Sequence, residues 1–360
     1  MDVAGEIEGI SIPFVFGVFV GACAVPGAVG LILPASLSLA LLFALGSLIF
    51  LMVKDGIGRW GTVLMFFLLG VFCYSSRSMC VDVSNTEPLL AEAALQRLKR
   101  LIAGIPFAHG ETNALLMALL TGDRSGLSAT QVAAFRAAGA SHILALSGLH
   151  LGLIYMLVSK VLGLLGNSPG MRIIRSVACV VLAGFYTVMT GAGPSIVRAF
   201  LFICFREISV IDPERKAEPK NIFFAALTLQ LVMTPSVIMS IGFQLSYLAV
   251  CGIVFVFPRL KAWYPEQKRV TPMHSIWNAV ALTLSCQIFT APLSWLRFHS
   301  FPKYFLLTNL LALPLTSFIM TLAVVTLVAA AVNICPPALI WLEDSMVQVF
   351  LFVLEAISSM

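Results

Sequence analysis

The sequence predicts an all-α protein, a polytopic transmembrane helical bundle with amphipathic helices at its surface. Hydrophobic residues make up 59% of the 360 residues and charged residues only 11%. A soluble domain usually carries roughly 25% charged residues. Mean hydropathy is correspondingly high, at +0.99. The apolar residues fall in solid blocks near the ~20 residues that cross a hydrocarbon core as a helix. They do not alternate in segments of about ten, as the strands of a membrane barrel would.

The blocks resolve into about eleven segments, some broken or re-entrant. Ser11–Leu33, Pro34–Val53 and Trp60–Tyr74 form N-terminal hairpins within residues 1–80. The first of these follows the acidic stretch Met1–Gly9 and runs into a second block, so a cleaved leader is not expected. Residues 81–140 read as an extracytoplasmic amphipathic segment. There Leu90, Ala94, Leu98 and Leu101 fall on one face of a helix over Glu87–Ile102. Asn113–Leu120 and Ser128–Ala138 follow as helices, the last with Ser128 as N-cap, lying at the surface or re-entering the membrane. Residues 141–360 supply Ser141–Leu165, Ile174–Gly191, Ser195–Val210, Asn221–Thr234, Val237–Phe257, Ile276–Leu296, Tyr304–Ala331 and Pro337–Ile357. Pro and Gly interrupt several of these, which is tolerated where a broken helix lines a cavity.

Basic residues orient the segments. Lys54 and Arg59, then Lys160, Arg172 and Arg175, then Arg206, Arg215, Lys216 and Lys220, then Arg259, Lys261, Lys268 and Arg269 occupy alternate connections. Placing these inside puts the N-terminus inside and Ser75–Ala140 outside. Arg97, Lys99 and Arg100 oppose that placement, but the rule weakens in long loops.

Polar residues concentrate where apolar blocks begin. Asp123, Arg124 and Ser125 sit in a Gly-bounded turn, where Asp123 and Arg124 can pair or the turn can simply cap a helix. On one continuous helix, Ser147 and His150 would lie one turn apart, with His142 two turns before His150. Gly148 removes a side chain where a neighbour can approach. Arg198 lies in an otherwise uncharged segment, where it either snorkels to the surface or faces a polar path. Gln244 and Asn309 add neutral polar groups, and ordinary interhelical hydrogen bonding also fits them. The eight cysteines are scattered without metal-ligand spacing, so neither metal nor cofactor is expected.

Five motifs stand in order: ALLTGDRSGL (118–127), FRAAGASHILALSGLHLGL (135–153), TGAGPSIVRAF (190–200), IGFQLSYLAVCGI (241–253) and CQIFTAPLSWLRFHSFPKYFLLTNLLALPL (286–315). Together they resemble the membrane domain of the ComEC competence-channel family. The resemblance implies a multi-pass channel in the bacterial inner (plasma) membrane that passes single-stranded DNA to the cytoplasm during natural transformation. It places Asp123, Arg124, Ser125, His142, Ser147, Gly148, His150, Arg198, Gln244 and Asn309 along or beside the DNA path. It further implies membrane lipids as surroundings and a separate DNA receptor, nuclease and cytoplasmic motor as partners. The OB-like and metallo-β-lactamase-like modules common in such proteins have no counterpart in these residues.

Two other functions use the same residues. A small-molecule or lipid transporter would share the polar bundle. An intramembrane serine hydrolase would need Ser147 activated by His150 or His142. The Ala145-Leu-Ser-Gly148 box has Ala where rhomboid-type proteases carry Gly, and an enzyme is not expected.

Overall fold

The computed structural model describes residues 3–24, 59–79, 89–164, 166, 168–211, 218–264, 272–299 and 304–359. Every regular element among them is helical. In chain order they are α1 (Val3–Ala24), α2 (Arg59–Met79), α3 (Leu89–Gly104), α4 (Gly110–Thr121), α5 (Ala129–Ala137), α6 (Ser141–Leu144), α7 (Gly148–Gly163) and α8 (Pro169–Met189). Then follow α9 (Pro194–Ile211), α10 (Pro219–Met233), the 3-10 turn Pro235–Met239, α11 (Ile241–Phe255), α12 (Phe257–Lys261), α13 (Pro272–Phe298), α14 (Phe305–Ala331) and α15 (Pro337–Ser358). Pro opens α8, α9, α10, α13 and α15, where its missing N–H costs nothing and its fixed φ suits the helix. The expected segment Pro34–Val53 lies outside the described residues.

The chain forms two compact units, 1–86 with 212–247, and 87–211 with 248–360. In the first, α1 and α2 cross with their backbones in contact. A Cβ on Gly17 would meet the Phe67 carbonyl at 2.0 Å, and one on Gly70 would meet that of Phe14 at 2.1 Å. Glycine alone permits this approach, the usual device where lipid supplies no hydrophobic drive between helices.

The second unit is turned inside out relative to a soluble protein. On α8, Ile174, Val177, Val181, Phe185 and Val188 are exposed at helical spacing, while Ser176, Cys179, Ala183 and Thr187 are buried. On α14, Leu307, Leu311, Phe318, Val325 and Val328 point outward, while Thr308, Ala312, Thr316, Ala323 and Thr326 point inward. Large apolar stripes of this length have no place in water. They match hydrocarbon outside and close small-residue packing inside. Pro169–Met189, Met273–Phe298, Phe305–Ala331 and Pro337–Ser358 are long and apolar enough to cross a membrane. This is a membrane protein.

Two expectations are corrected. On α3 the buried positions are Ala91 and Ile102, with Ala94, Leu95 and Leu98 partly buried between them, while Leu90 is 80% exposed. The packed face is therefore rotated by one residue, because the small Ala91 fits against the bundle more closely than Leu90 would. The segment Ser141–Leu165 is also not one helix. It breaks at 145–147, between α6 and α7. The expected N-cap at Ser128 is present as a reciprocal box, with Gln131 N–H donating to Ser128 Oγ (3.1 Å) and Ser128 N–H donating to Gln131 Oε1 (3.0 Å). Helix α4 is interior, with Leu115, Leu116, Ala118, Leu119 and Leu120 buried in the core built with α14 and α15.

Candidate functional site at a broken helix

The break explains why Ser147 and His150 stand together. Leu149 N–H donates to Ser147 Oγ (3.2 Å), and Ser147 N–H donates to His150 Nδ1 (3.1 Å). Side chain and backbone thus cap each other at the start of α7, with His150 filling the third helical position usually held by Glu or Gln. The imidazole is spent on a backbone N–H rather than on the Ser147 hydroxyl. The two residues are therefore not arranged as nucleophile and base. His150 is fully buried. His142, on α6, lies within electrostatic reach of it and is exposed.

The Gly-bounded turn docks against this break. Gly122 ends α4 in the left-handed region (φ 79°), and a Cβ there would strike Leu146 Cδ1 at 2.5 Å. Arg124 Nε donates to the Leu144 carbonyl (3.0 Å), so its guanidinium holds the last carbonyl of α6. The anticipated Asp123–Arg124 pair does not form. Asp123 instead takes Lys99 Nζ from α3 at 2.6 Å. Its other oxygen accepts the Ser125 hydroxyl (2.7 Å) and backbone N–H (3.1 Å). From α8, the Tyr186 hydroxyl donates to the Leu120 carbonyl (2.8 Å), satisfying a terminal acceptor of α4.

These partners hold the Asp123 carboxyl well below the usual carboxylate range, the Lys99 hydrogen bond most and those from Ser125 next. A depressed native pKa adds stability that is present above the unfolded value of about 4 and lost as pH falls through the native value. Side chains this accessible are screened, so Asp123→Asn should cost about 1 kcal/mol or less. Thermal unfolding at pH 7 should show that small loss, and the difference from wild type should shrink under strong acid.

Arg198 reaches the break from α9. A Cβ on Gly148 would lie 2.9 Å from Arg198 Nη2 and 3.1 Å from Ala199 Cβ. The first residue of α7 therefore rests on the first turns of α9, and a larger residue there would displace the guanidinium. Arg198 Cζ also stands 5.8 Å from the Phe202 ring centroid, one turn along. The turn into α9 is tight, with Gly191 (φ 82°) and Ala192 (φ 47°) both left-handed. Two helix N-termini and one guanidinium meet here, and each favours an anion.

The structure thus gathers Asp123, Arg124, Ser125, His142, Ser147, Gly148, His150 and Arg198 around one break. Asn309 follows Thr308 on α14, whose hydroxyl donates to the Ala138 carbonyl (2.7 Å) just before α6. Gln244 belongs to the other unit, where its Nε2 donates to the Ile238 carbonyl (2.8 Å) and ties α11 to the preceding 3-10 turn.

Glu207 lies outside the motifs that the sequence marks. It is buried on α9 and accepts hydroxyls from Tyr155 on α7 and from Ser176 on α8 (2.5 Å), with Arg206 Cζ 5.4 Å from the Tyr155 ring centroid. It thereby joins the three helices that frame the break. A lone acid inside an apolar segment was the available signal.

Comparison with known proteins places the chain in a family. The chain is 26% identical over 216 residues to "Uncharacterized protein YcaI" of Escherichia coli, covering 58% of this chain and 28% of that one. It is 25% identical over 211 residues to "ComE operon protein 3" of Bacillus subtilis, covering 58% and 25%. It is 25% identical over 269 residues to "Recombination protein 2" of Haemophilus influenzae, covering 71% and 32%. Each match spans a third or less of the relative's length. No solved structure matches. The family model described as "Competence protein" matches residues 119–360, from the end of α4 through every element of the break, and the chain belongs to that family.

Proposed function

We propose that the protein is a multi-pass channel of the bacterial inner membrane that carries single-stranded DNA into the cytoplasm during natural transformation. The observation that supports this most is the meeting of Arg198 with the N-termini of α7 and α9 at Gly148. A polyanion crossing a membrane needs positive potential without a tight clamp. Two helix ends and one guanidinium supply it at a single level. Arg124 and Asp123 contribute differently, since both are engaged in holding the break together. His142 and Asn309 are proposed to line the path. A DNA receptor, a nuclease and a cytoplasmic motor would act as separate partners.

Deletion of the gene tests this directly, with transformation, surface DNA binding and cytoplasmic uptake measured separately. Uptake and transformation should be lost while surface binding persists. Unchanged transformation would refute the proposal.

A further inference from the structure

One buried acid plays no part in the site above. Glu343, on α15, is 0% exposed. No donor among the described residues meets either of its carboxyl oxygens in hydrogen-bonding geometry. Thr326, fully buried on α14, is close enough for its hydroxyl to act on the carboxyl, but the contact falls short of full hydrogen-bonding geometry. Cys335, in the turn between α14 and α15, is also within electrostatic reach. The next residue contrasts sharply. Asp344 Oδ1 accepts the Thr112 hydroxyl (2.5 Å), and Oδ2 meets His109 Nδ1 (2.7 Å) at the start of α4. His109 is 56% exposed, so this pair opens to solvent. Glu111 on α4 and Arg136 on α5, the other charged residues on elements packed against α15, are exposed.

A carboxylate with no cation and no well-formed hydrogen bond is very costly inside a low-dielectric bundle, whereas the neutral acid is tolerated. Leucine or glutamine would pack there at less cost if structure were the only requirement. A metal or sodium ion would need several ligands, and among the described residues no group of three or more His, Cys, Asp and Glu gathers here. We propose that Glu343 is a proton-binding site, exchanging its proton with solvent near the start of α15, where His109 beside the buried Asp344 is exposed. This holds whether or not the chain carries DNA.

The test uses the full chain in lipid nanodiscs with dicyclohexylcarbodiimide, an apolar reagent that attacks protonated carboxyls. The acid proton passes to a carbodiimide nitrogen, the carboxyl oxygen bonds to the central carbon, and rearrangement leaves an N-acylurea. Peptide mass spectrometry should find the adduct on Glu343 and far less on Glu207, which accepts two hydroxyls. Labelling should fall about tenfold per pH unit once the acid ionises. A water-soluble carbodiimide should not reach it, and Glu343→Gln should remove the adduct. Absence of the adduct, or labelling independent of pH, would overturn the proposal. Protection by sodium at constant pH would also overturn it, in favour of a cation site. Mapping on the wild-type chain keeps the test valid even if Glu343→Gln does not fold.

Discussion

Arg198→Ala is expected to cut DNA uptake roughly 10- to 150-fold while leaving protein abundance and surface DNA binding near wild type. The guanidinium rests on Gly148 at the mouth of α7, where two helix ends already raise the local potential. Losing a hydrogen bond to a charged group costs about 1.5–3 kcal/mol. If each phosphate must pass this point, translocation slows by roughly 10- to 150-fold. Arg198→Lys keeps the charge but loses the fork of donors, so partial uptake should survive. The measurement is entry of labelled DNA into cells with matched protein levels. Normal transformation by the alanine variant would reduce Arg198 to a packing partner of Phe202. Loss of the protein from the membrane would make it a structural residue.

The second large effect is on stability. Glu207→Leu should strand the Tyr155 and Ser176 hydroxyls inside the bundle, since both donate to that carboxylate. An unsatisfied buried polar group costs about 1–3 kcal/mol, so the pair should cost about 2 kcal/mol or more. Glu207→Gln retains an acceptor oxygen, and a hydroxyl can turn to accept from its amide, so its loss should be smaller. Thermal unfolding in detergent separates the two variants. A leucine variant as stable as wild type would show that the carboxylate does not hold α7, α8 and α9 together.

These two residues differ in how they could be read in advance. Arg198 was visible from sequence because an arginine in an uncharged block has few explanations. The long blocks that became α8, α13, α14 and α15 were visible for the same reason, since length and apolarity are local properties. The break at 145–147 was not. Ser147 and His150 have the spacing of a capping box, as Ser128 and Gln131 do, but the apolar run around them conceals a helix start. The Lys99–Asp123 pair and the Thr112–Asp344 hydrogen bond join residues 24 and 232 positions apart, and helical periodicity carries no information over such distances. The rotated face of α3 escaped because alanine and leucine count alike as apolar, although the structure buries Ala91 and exposes Leu90.

The break at 145–147 also acts on the lipid. It leaves α7 with 16 residues, about 24 Å of helix, against a hydrocarbon thickness of about 30 Å. Helix α14, with 27 residues or about 40 Å, exceeds that thickness, an excess taken up by tilting, by kinking at Pro314 or by a thicker bilayer. One protein therefore presents its bilayer with two hydrophobic heights. Lipid adapts to the short element by thinning beside it, at a cost of fractions of a kcal/mol per Å of mismatch. Beside α7 the insulating layer is thus shallower than beside α14.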